Sequence, residues 1–347
     1  MQILKQVLGV DVAQKELVVT LGRLNKDLSI DLYSYKVFRN TNPGVESLVK
    51  WVKKLTTKDL PVQYVMEATG VYHQKLAYYL DENGFEVSIV MPNKISNYMR
   101  TLENKTTTDK TCSEAIAQFG LERKLDHWHR PDRIYKNLQQ LTRERDQIVT
   151  ERVMVKNMLH AEQTEAEPNP NSLKRLKARI QFMNKQEFQV KKDIELCVEN
   201  ESGLKKDIQN ICSIPGVGKL TAVIVLAETN GFNLIRNKKQ LTSYAGLDVK
   251  EKLSGTSVKG KPRISKMGNT ALRKAMHLPS LSAIKHDERF KEVYVRLVSR
   301  HGIKMKAIVA VQRKLLELIY LLHKNNTTYQ KDYENKERVQ LELADTL

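Results

Sequence analysis

The sequence predicts an α/β domain at its N-terminus, a central antiparallel helical hairpin and a mostly α-helical C-terminal region, and three observations carry this. Short β-rich runs and helical spacings alternate as far as Met91. A polar stretch with a seven-residue apolar repeat follows from Ile134 to Cys197. Beyond about Ile208 the apolar residues recur at helical spacing, interrupted by glycines.

From Val7 to Gly22, VLGVDV and ELVVTLG flank a short polar turn, and DLYSYKVFR follows, which reads as three antiparallel strands. Pro43-Gly44 opens VESLVKWVKKL, where Val45, Leu48, Val49, Val52 and Leu55 lie at helical spacing. VQYVM then reads as a strand, the residues after Gly70 as a helix and FEVSIVM as a strand, with helices from about Asn93 and Asp109. Three strands, helix, strand, helix, strand, helix is the order of a ribonuclease-H-like fold.

One heptad seam places Leu141, Ile148 and Val155 at one position and Leu138, Arg145, Arg152 and Leu159 at the other. A second runs Leu173, Ile180, Glu187, Ile194 beside Leu176, Met183, Val190, Cys197. Between them QTEAEPNPNS holds two prolines that no helix crosses comfortably, so the two helices are expected to fold back on each other. The expected divisions are a catalytic α/β domain at 1–130, the hairpin at 131–204, a helical domain at 205–330 and a charged tail at 331–347.

A formal charge of +18, from 58 Lys and Arg against 40 Asp and Glu, favours a polyanionic partner, because each neutralised phosphate releases condensed counterions. Nucleic acid is the leading candidate. No apolar run of about 18 residues occurs and the N-terminus lacks a cleavable leader pattern, so a cytoplasmic protein with no membrane partner is expected. Cys112, Cys197 and Cys212 fit neither a disulfide framework nor zinc-ligand spacing and read as free thiols.

Asp11 ends the first strand in GVDVAQ and Glu67 the fourth in VMEATG. In a ribonuclease-H-like sheet these strands are neighbours, so both carboxylates meet at one edge, where hard oxygen ligands suit Mg²⁺ (or Mn²⁺) and metal-assisted phosphodiester chemistry. Asp109 stands where a helix begins and can swing toward the same edge. One turn on lie Cys112 and Ser113, and Glu114 faces away. An Asp at a strand end is also a common turn former, and one before a helix a common N-cap.

SIPGVGKLTAVIVLAE reads as helix, tight turn, helix, with Gly216 and Gly218 allowing close backbone approach to a phosphate and Lys219 beside them. It has the look of a helix-hairpin-helix clamp on a DNA backbone, or of a plain packing corner. After LTSYAGLDV, the cations Lys250, Lys252, Lys259, Lys261, Arg263, Lys266, Arg273 and Lys274 crowd around Ser254-Gly255. A hydroxyl in that field can attack a phosphodiester, since the cations stabilise the alkoxide and the pentacovalent charge. Such Ser/Gly/Lys stretches are also ordinary solvated loops.

GVDVAQKEL, MEATGVYH, IPGVGKLTA, YAGLDVKEKLSGTS and RISKMGNTALRKAM, in this order, make the chain resemble the transposases of the insertion-sequence-110 (IS110) family, with its 1111 and 902/116 relatives. The resemblance implies a RuvC-like domain in which Asp11, Glu67 and Asp109 match three of the family's four acidic residues, and Ser254 matches its serine nucleophile. The fourth acid falls at Cys112, a poor Mg²⁺ ligand. Also implied are a phosphoserine DNA intermediate, a guide RNA encoded by the element, and a homodimer that pairs into a tetramer on DNA. A RuvC-like junction nuclease, with Ser254 only a DNA contact, and a nucleic-acid-binding relative with an impaired site fit the same residues.

Overall fold

The computed structural model describes residues 2–68, 70–102, 106–251, 253–254, 258–260 and 262–330, without the side chains of residues 253–254 and 258–259. The chain divides into two compact units, 1–130 and 131–347.

In the first unit the elements are β1 (Ile3–Val12), β2 (Glu16–Asn25), β3 (Ile30–Arg39), α1 (Asn42–Leu55), β4 (Val62–Glu67), α2 (Gln74–Glu82), β5 (Glu86–Val90), α3 (Pro92–Met99) and α4 (Asp109–Glu122). They form one sheet of order β3-β2-β1-β4-β5. The first three strands are antiparallel, and β4 and β5 run parallel to β1. This is the ribonuclease-H-like arrangement.

Both faces of the sheet are covered, which is why β1 reads VLGVDV rather than alternating apolar with polar. Leu8, Val10, Tyr64 and Met66 face one core with Leu48 of α1 and Leu76 of α2. Val7, Val65 and Val90 face the other with Ile95 of α3 and Ile116 of α4. Thr41 caps α1 by accepting from the Gly44 amide, and Pro43 in its first turn needs no amide donor.

The second unit begins with two long helices, α5 (Arg133–Thr164) and α6 (Pro170–Glu199). Asn169 caps α6 and Pro170 occupies its first turn, so the chain breaks where the two prolines stand. The helices pack on each other in opposite senses: Asn137 meets Cys197, and Arg152 meets Asn184. Their buried positions are Leu138, Thr142, Ile148 and Val155 against Met183, Glu187, Val190, Ile194 and Val198. Val198 rather than Cys197 closes the second seam, as a helix of 3.6 residues per turn drifts from a strict seven-residue repeat.

There follow α7 (Ser202–Cys212), α8 (Lys219–Thr229), α9 (Lys238–Tyr244), β6 (Val249–Lys250), β7 (Leu253–Ser254), β8 (Val258–Lys259), β9 (Arg263–Ile264), α10 (Thr270–Ala275), α11 (His277–His286), α12 (Glu288–His301) and α13 (Lys304–Asn325). One core holds Leu138 of α5, Val223 and Leu226 of α8, and Val311, Leu315 and Ile319 of α13. The remainder is mostly helical, as expected, with four short strands among the helices. At two residues each they are too short to show a period of two, and lysines and glycines mask what alternation exists.

Candidate active site

The first cluster is built by the register of the sheet. Val10 of β1 pairs with Met66 of β4, which sets Asp11 and Glu67 side by side at the C-terminal ends of parallel neighbours. Side chains alternate along a strand, so Asp11 shares the face of Val7 and Gly9, and Glu67 that of Val65: the face covered by α4.

Glycine fixes the height of α4 above that face. A Cβ on Gly9 would lie 2.3 Å from the Ala117 amide nitrogen and 2.4 Å from the Ser113 carbonyl oxygen. Gly120 returns the favour on the helix side, where a Cβ would lie 2.8 Å from both Val7 and Val65. A buried hydroxyl pair, Thr20 Oγ1 to Ser113 Oγ at 2.8 Å, fixes the helix sideways. Asp109, one turn before Ser113, and Cys112, next to Ser113, are thereby brought near Asp11.

Asp109 is not spent as a cap. Thr108 caps α4 by accepting from the Thr111 amide at 3.2 Å, while Thr111 Oγ1 accepts from the Thr108 amide at 2.8 Å. Glu114 pairs with Lys110 at 3.8 Å. Asp11 likewise is no turn former, since β1 continues through Val12.

The electrostatics record the convergence. Half-buried Asp11 is pushed up to about 6, first by burial and then by the charges of Asp109 and Glu67. Burial, Asp11, Glu67 and Asp109 together push the Cys112 thiol up, so it stays neutral near pH 7. Three carboxylates from three elements that repel one another in a partly dry edge are a donor set for a hard divalent cation. Among the described residues no group of three His, Cys, Asp or Glu is drawn into ligating geometry. The three carboxylates match a divalent cation in charge and donor type, and the neutral thiol is a poor ligand for it.

The second cluster surrounds the basic segment. Ser254 lies in β7, its backbone paired with Val258 of β8, so it rides on a two-stranded hairpin. The side chains of Ser254 and Lys259 lie outside what is described, as do Lys252, Gly255 and Lys261. The hairpin stands on a stem in which Val249 pairs with Ile264 and Lys250 with Arg263. Leu247, Val249 and Ile264 of this stem line a cavity of about 540 Å³ with Leu297, Met305 and Val309.

The root of the stem is tight. Gly246 has φ of 66°, and Gly268 approaches so closely that a Cβ would lie 2.4 Å from the Tyr244 carbonyl oxygen. Arg273 donates to the Ala245 carbonyl oxygen at 2.8 Å and to Thr270 Oγ1 at 3.0 Å, so this cation is engaged in closing the root. Arg263 and Lys266 are exposed.

In the turn between α7 and α8, Gly216 has φ of 90°, and its close approach is to α11, where a Cβ would lie 2.8 Å from the Ala283 amide. Gly218, at the N-cap of α8, has nothing within 4 Å of its Cβ direction. Lys219 lies 3.8 Å from Glu199.

Sequence reasoning missed Glu228. Its side chain is fully buried on α8 and accepts from Arg143 Nε and Nη2, both at 2.8 Å, from Asn269 Nδ2 at 2.7 Å and from Gln139 Nε2 at 3.2 Å. Tyr244 donates to its backbone carbonyl at 2.8 Å. Burial pushes the carboxyl up, but the Arg143 and Asn269 bonds outweigh it and hold it below the usual range. A lone acid inside VIVLAE was the available signal.

Comparison with known proteins bears on both clusters. Residues 8–166 match the family DEDD_Tnp_IS110, described as "Transposase", and residues 208–295 match "Transposase IS116/IS110/IS902 family". The chain belongs to the IS110 family of transposases. It is 25% identical over 299 residues to the pilin gene-inverting protein of Moraxella bovis, covering 85% of this chain and 90% of that one. It is 31% identical over 130 residues to the transposase for insertion sequence element IS1111A of Coxiella burnetii, covering 36% of this chain and 35% of that one. Among solved structures it is similar to Thermus thermophilus RuvC, at 13% identity and a TM-score of 0.25, covering 32% of this chain and 90% of that one. As an IS110-family transposase the chain is an enzyme that acts on DNA. No described helix is long and apolar enough to cross a membrane, and all three cysteines are unpaired.

Proposed function

We propose that this IS110-family transposase excises and inserts its element by cutting and rejoining DNA strands, with Asp11, Glu67 and Asp109 holding Mg²⁺ (or Mn²⁺) and Ser254 as nucleophile. The observation that carries the metal assignment is the convergence of three carboxylates from β1, β4 and the first turn of α4, with Asp11 raised to about 6 by burial and by the charges of Asp109 and Glu67. When bound, the cation neutralises the scissile phosphate and the charge that develops on it. Ser254 is supported by its match to the family's serine motif and by the cations around it in the sequence.

In this reading Ser254 Oγ loses its proton and attacks the phosphorus, and the P–O bond to a deoxyribose breaks as its oxygen takes up a proton. A freed hydroxyl of the same or another strand later attacks the phosphoserine, breaking the bond to Oγ and returning the serine hydroxyl as DNA is rejoined. Exposed Arg263 and Lys266, with Lys219 and Gly218 at the start of α8, contact the phosphate backbone; Lys259 and Lys261 extend that surface. The net charge of +18 supports a polyanionic partner, and an element-encoded guide RNA pairing with donor and target DNA accounts for sequence choice. The packed helices α5 and α6 serve as a coiled-coil arm that joins protomers into a dimer, and dimers into a tetramer on DNA.

The test is to trap a covalent protein–DNA adduct with purified protein, the flanking element RNA, Mg²⁺ and labelled DNA carrying the element's junction. The expected result is an adduct that Ser254→Ala and Asp11→Ala each abolish. Metal-dependent cutting that survives Ser254→Ala would identify a junction nuclease instead. Binding with no cutting at any Mg²⁺ concentration would identify an impaired relative, with Cys112 at fault.

A further inference from the structure

The arm helix α5 and the root of the Ser254 hairpin meet at one buried carboxylate. Glu228 takes two bonds from Arg143 and one from Gln139, both on α5, and its oxygen Oε2 takes a third side chain, Asn269. Asn269 is the residue at which the hairpin segment returns to the helical body. Its amide donates to the Tyr244 carbonyl at 2.7 Å, and its Oδ1 accepts from the Leu272 amide at 2.9 Å to cap α10. One turn further along each helix, Lys274 of α10 reaches Asp146 of α5 at 2.6 Å.

A fully buried carboxylate costs desolvation energy that apolar packing would avoid, so its retention calls for a purpose beyond stability. The bonds here are directional: a bidentate guanidinium fork on one side and an amide that must also cap a helix on the other. Both ends of the hairpin are fixed at this residue: Asn269 bonds to the Glu228 carboxylate, and the Tyr244 hydroxyl donates to the Glu228 backbone carbonyl.

We infer that Glu228 is a positioning residue for Ser254: it locks the root of the serine hairpin to the arm helix α5, so that the placement of the arm sets the placement of the nucleophile. The inference rests on the reading of Ser254 as nucleophile. It goes beyond that reading in tying the hairpin's placement to the arm: Arg143 is on α5, two residues before Arg145, which pairs with Glu187 of α6.

The test uses the full chain with junction DNA, element RNA and Mg²⁺, measuring adduct formation in a single turnover across DNA concentrations. Glu228→Gln turns an accepting oxygen into a donor facing Arg143 or Asn269. It is expected to slow the maximal rate about a hundredfold, the scale of a misplacement of about 1 Å, while half-saturating DNA changes less than about threefold. Asn269→Asp in the same chain restores the bond to residue 269 with reversed polarity and keeps the cap, while Arg143 and Gln139 still face the new donor, so E228Q/N269D is expected to regain at least about fivefold of the lost rate. Asn269→Ser keeps the cap and loses only the bond to Glu228. It is expected to slow the rate at least about tenfold, and it serves if Glu228→Gln does not fold.

Amide hydrogen exchange reads the same lock without DNA, and protection at Asn269, Leu272 and Lys266 is expected to fall in E228Q and return in the double variant. Rates and protection within threefold of the parent in E228Q or N269S would overturn the inference. So would an equal loss in the double variant, which would mark Glu228 as scaffold only. If cutting survives Ser254→Ala, the serine reading falls by itself. The exchange data then still decide whether Glu228 locks the root to α5.

Discussion

Two carboxylates, one half-buried and one buried, sit in opposite company. Asp11, at the sheet edge of the first unit, is raised to about 6 by burial and, further, by the charges of Asp109 and Glu67. Glu187, on α6 in the second unit, faces Arg145 at 3.0 Å, Arg152, and Lys191 at 2.9 Å, and is lowered to about 2 despite its burial. A group of like charges left in proximity costs free energy and asks for a cation; an acid already matched by its own chain asks for nothing. The sign of the neighbours therefore separates the site from the scaffold where burial and residue type do not.

The largest break in that comparison is Asp11→Ala, which should lower adduct formation about a thousandfold at saturating DNA while leaving the fold intact. Removal of a scaffold acid should do the reverse. Gly9→Ala is the next test because it touches no carboxylate. Its methyl group would enter the backbone of α4, lifting Asp109 from Asp11 and Glu67, at a cost of about 1–3 kcal/mol in stability. Adduct formation per folded molecule should fall about a hundredfold, and metal titration should show weaker binding. Full activity in Gly9→Ala would mean that the height of α4 is irrelevant to the site.

Glu187→Ala probes the other side. It leaves Arg145 and Arg152 largely buried beside no acid and should cost about 3 kcal/mol, seen as a lower denaturant midpoint, with unchanged cleavage per folded arm. Since the folded carboxyl lies below its usual value, its contribution is complete above about 4.5 and is lost as pH falls toward about 2. Acid destabilisation of the parent in that window that is smaller in Glu187→Ala is the expected sign.

A smaller effect belongs to Cys112. Its thiol is neutral among three carboxylates, so Cys112→Asp adds a fourth carboxylate to the cluster. Half-saturating Mg²⁺ should fall about fivefold, as a site's affinity follows its ligand charge. An unchanged Mg²⁺ requirement would show that three acids complete the site.

How far these residues could be read from the sequence depends on the range over which the signal acts. The strands and helices of the first unit show their own periods, and Asp11 and Glu67 stand at strand ends, so the sheet order alone brings them together. Gly9 carried a local signal that went unused: a glycine inside a buried strand marks a close approach. Glu187 stood in the heptad seam as a blemish, and its partners Arg145 and Arg152 were visible in the facing seam as two more. Only the register of α5 against α6 shows that the blemishes match. Glu228 has partners far before and after it in the chain, and nothing local distinguishes a clamped acid from an exposed one.

The smallest prediction sharpens the comparison most, because it tests the sign at Asp11 without any substrate. A carboxyl raised from about 3.8 to about 6 means that the metal-free fold binds its proton more tightly than the unfolded chain does. Its effect on stability is therefore most favourable at low pH and is lost as pH rises from about 4 through about 6, the reverse of Glu187. Asp11→Asn keeps the shape and removes the charge, so without metal it should be more stable than the parent at pH 7. The gain should be about 1 kcal/mol once the partial exposure of the site is allowed for, and should vanish below about pH 4. Added Mg²⁺ should stabilise the parent and leave Asp11→Asn nearly unchanged, so that the order of the two reverses. If the parent is the more stable of the two in chelator, the three acids do not strain one another and the edge is not poised for a cation.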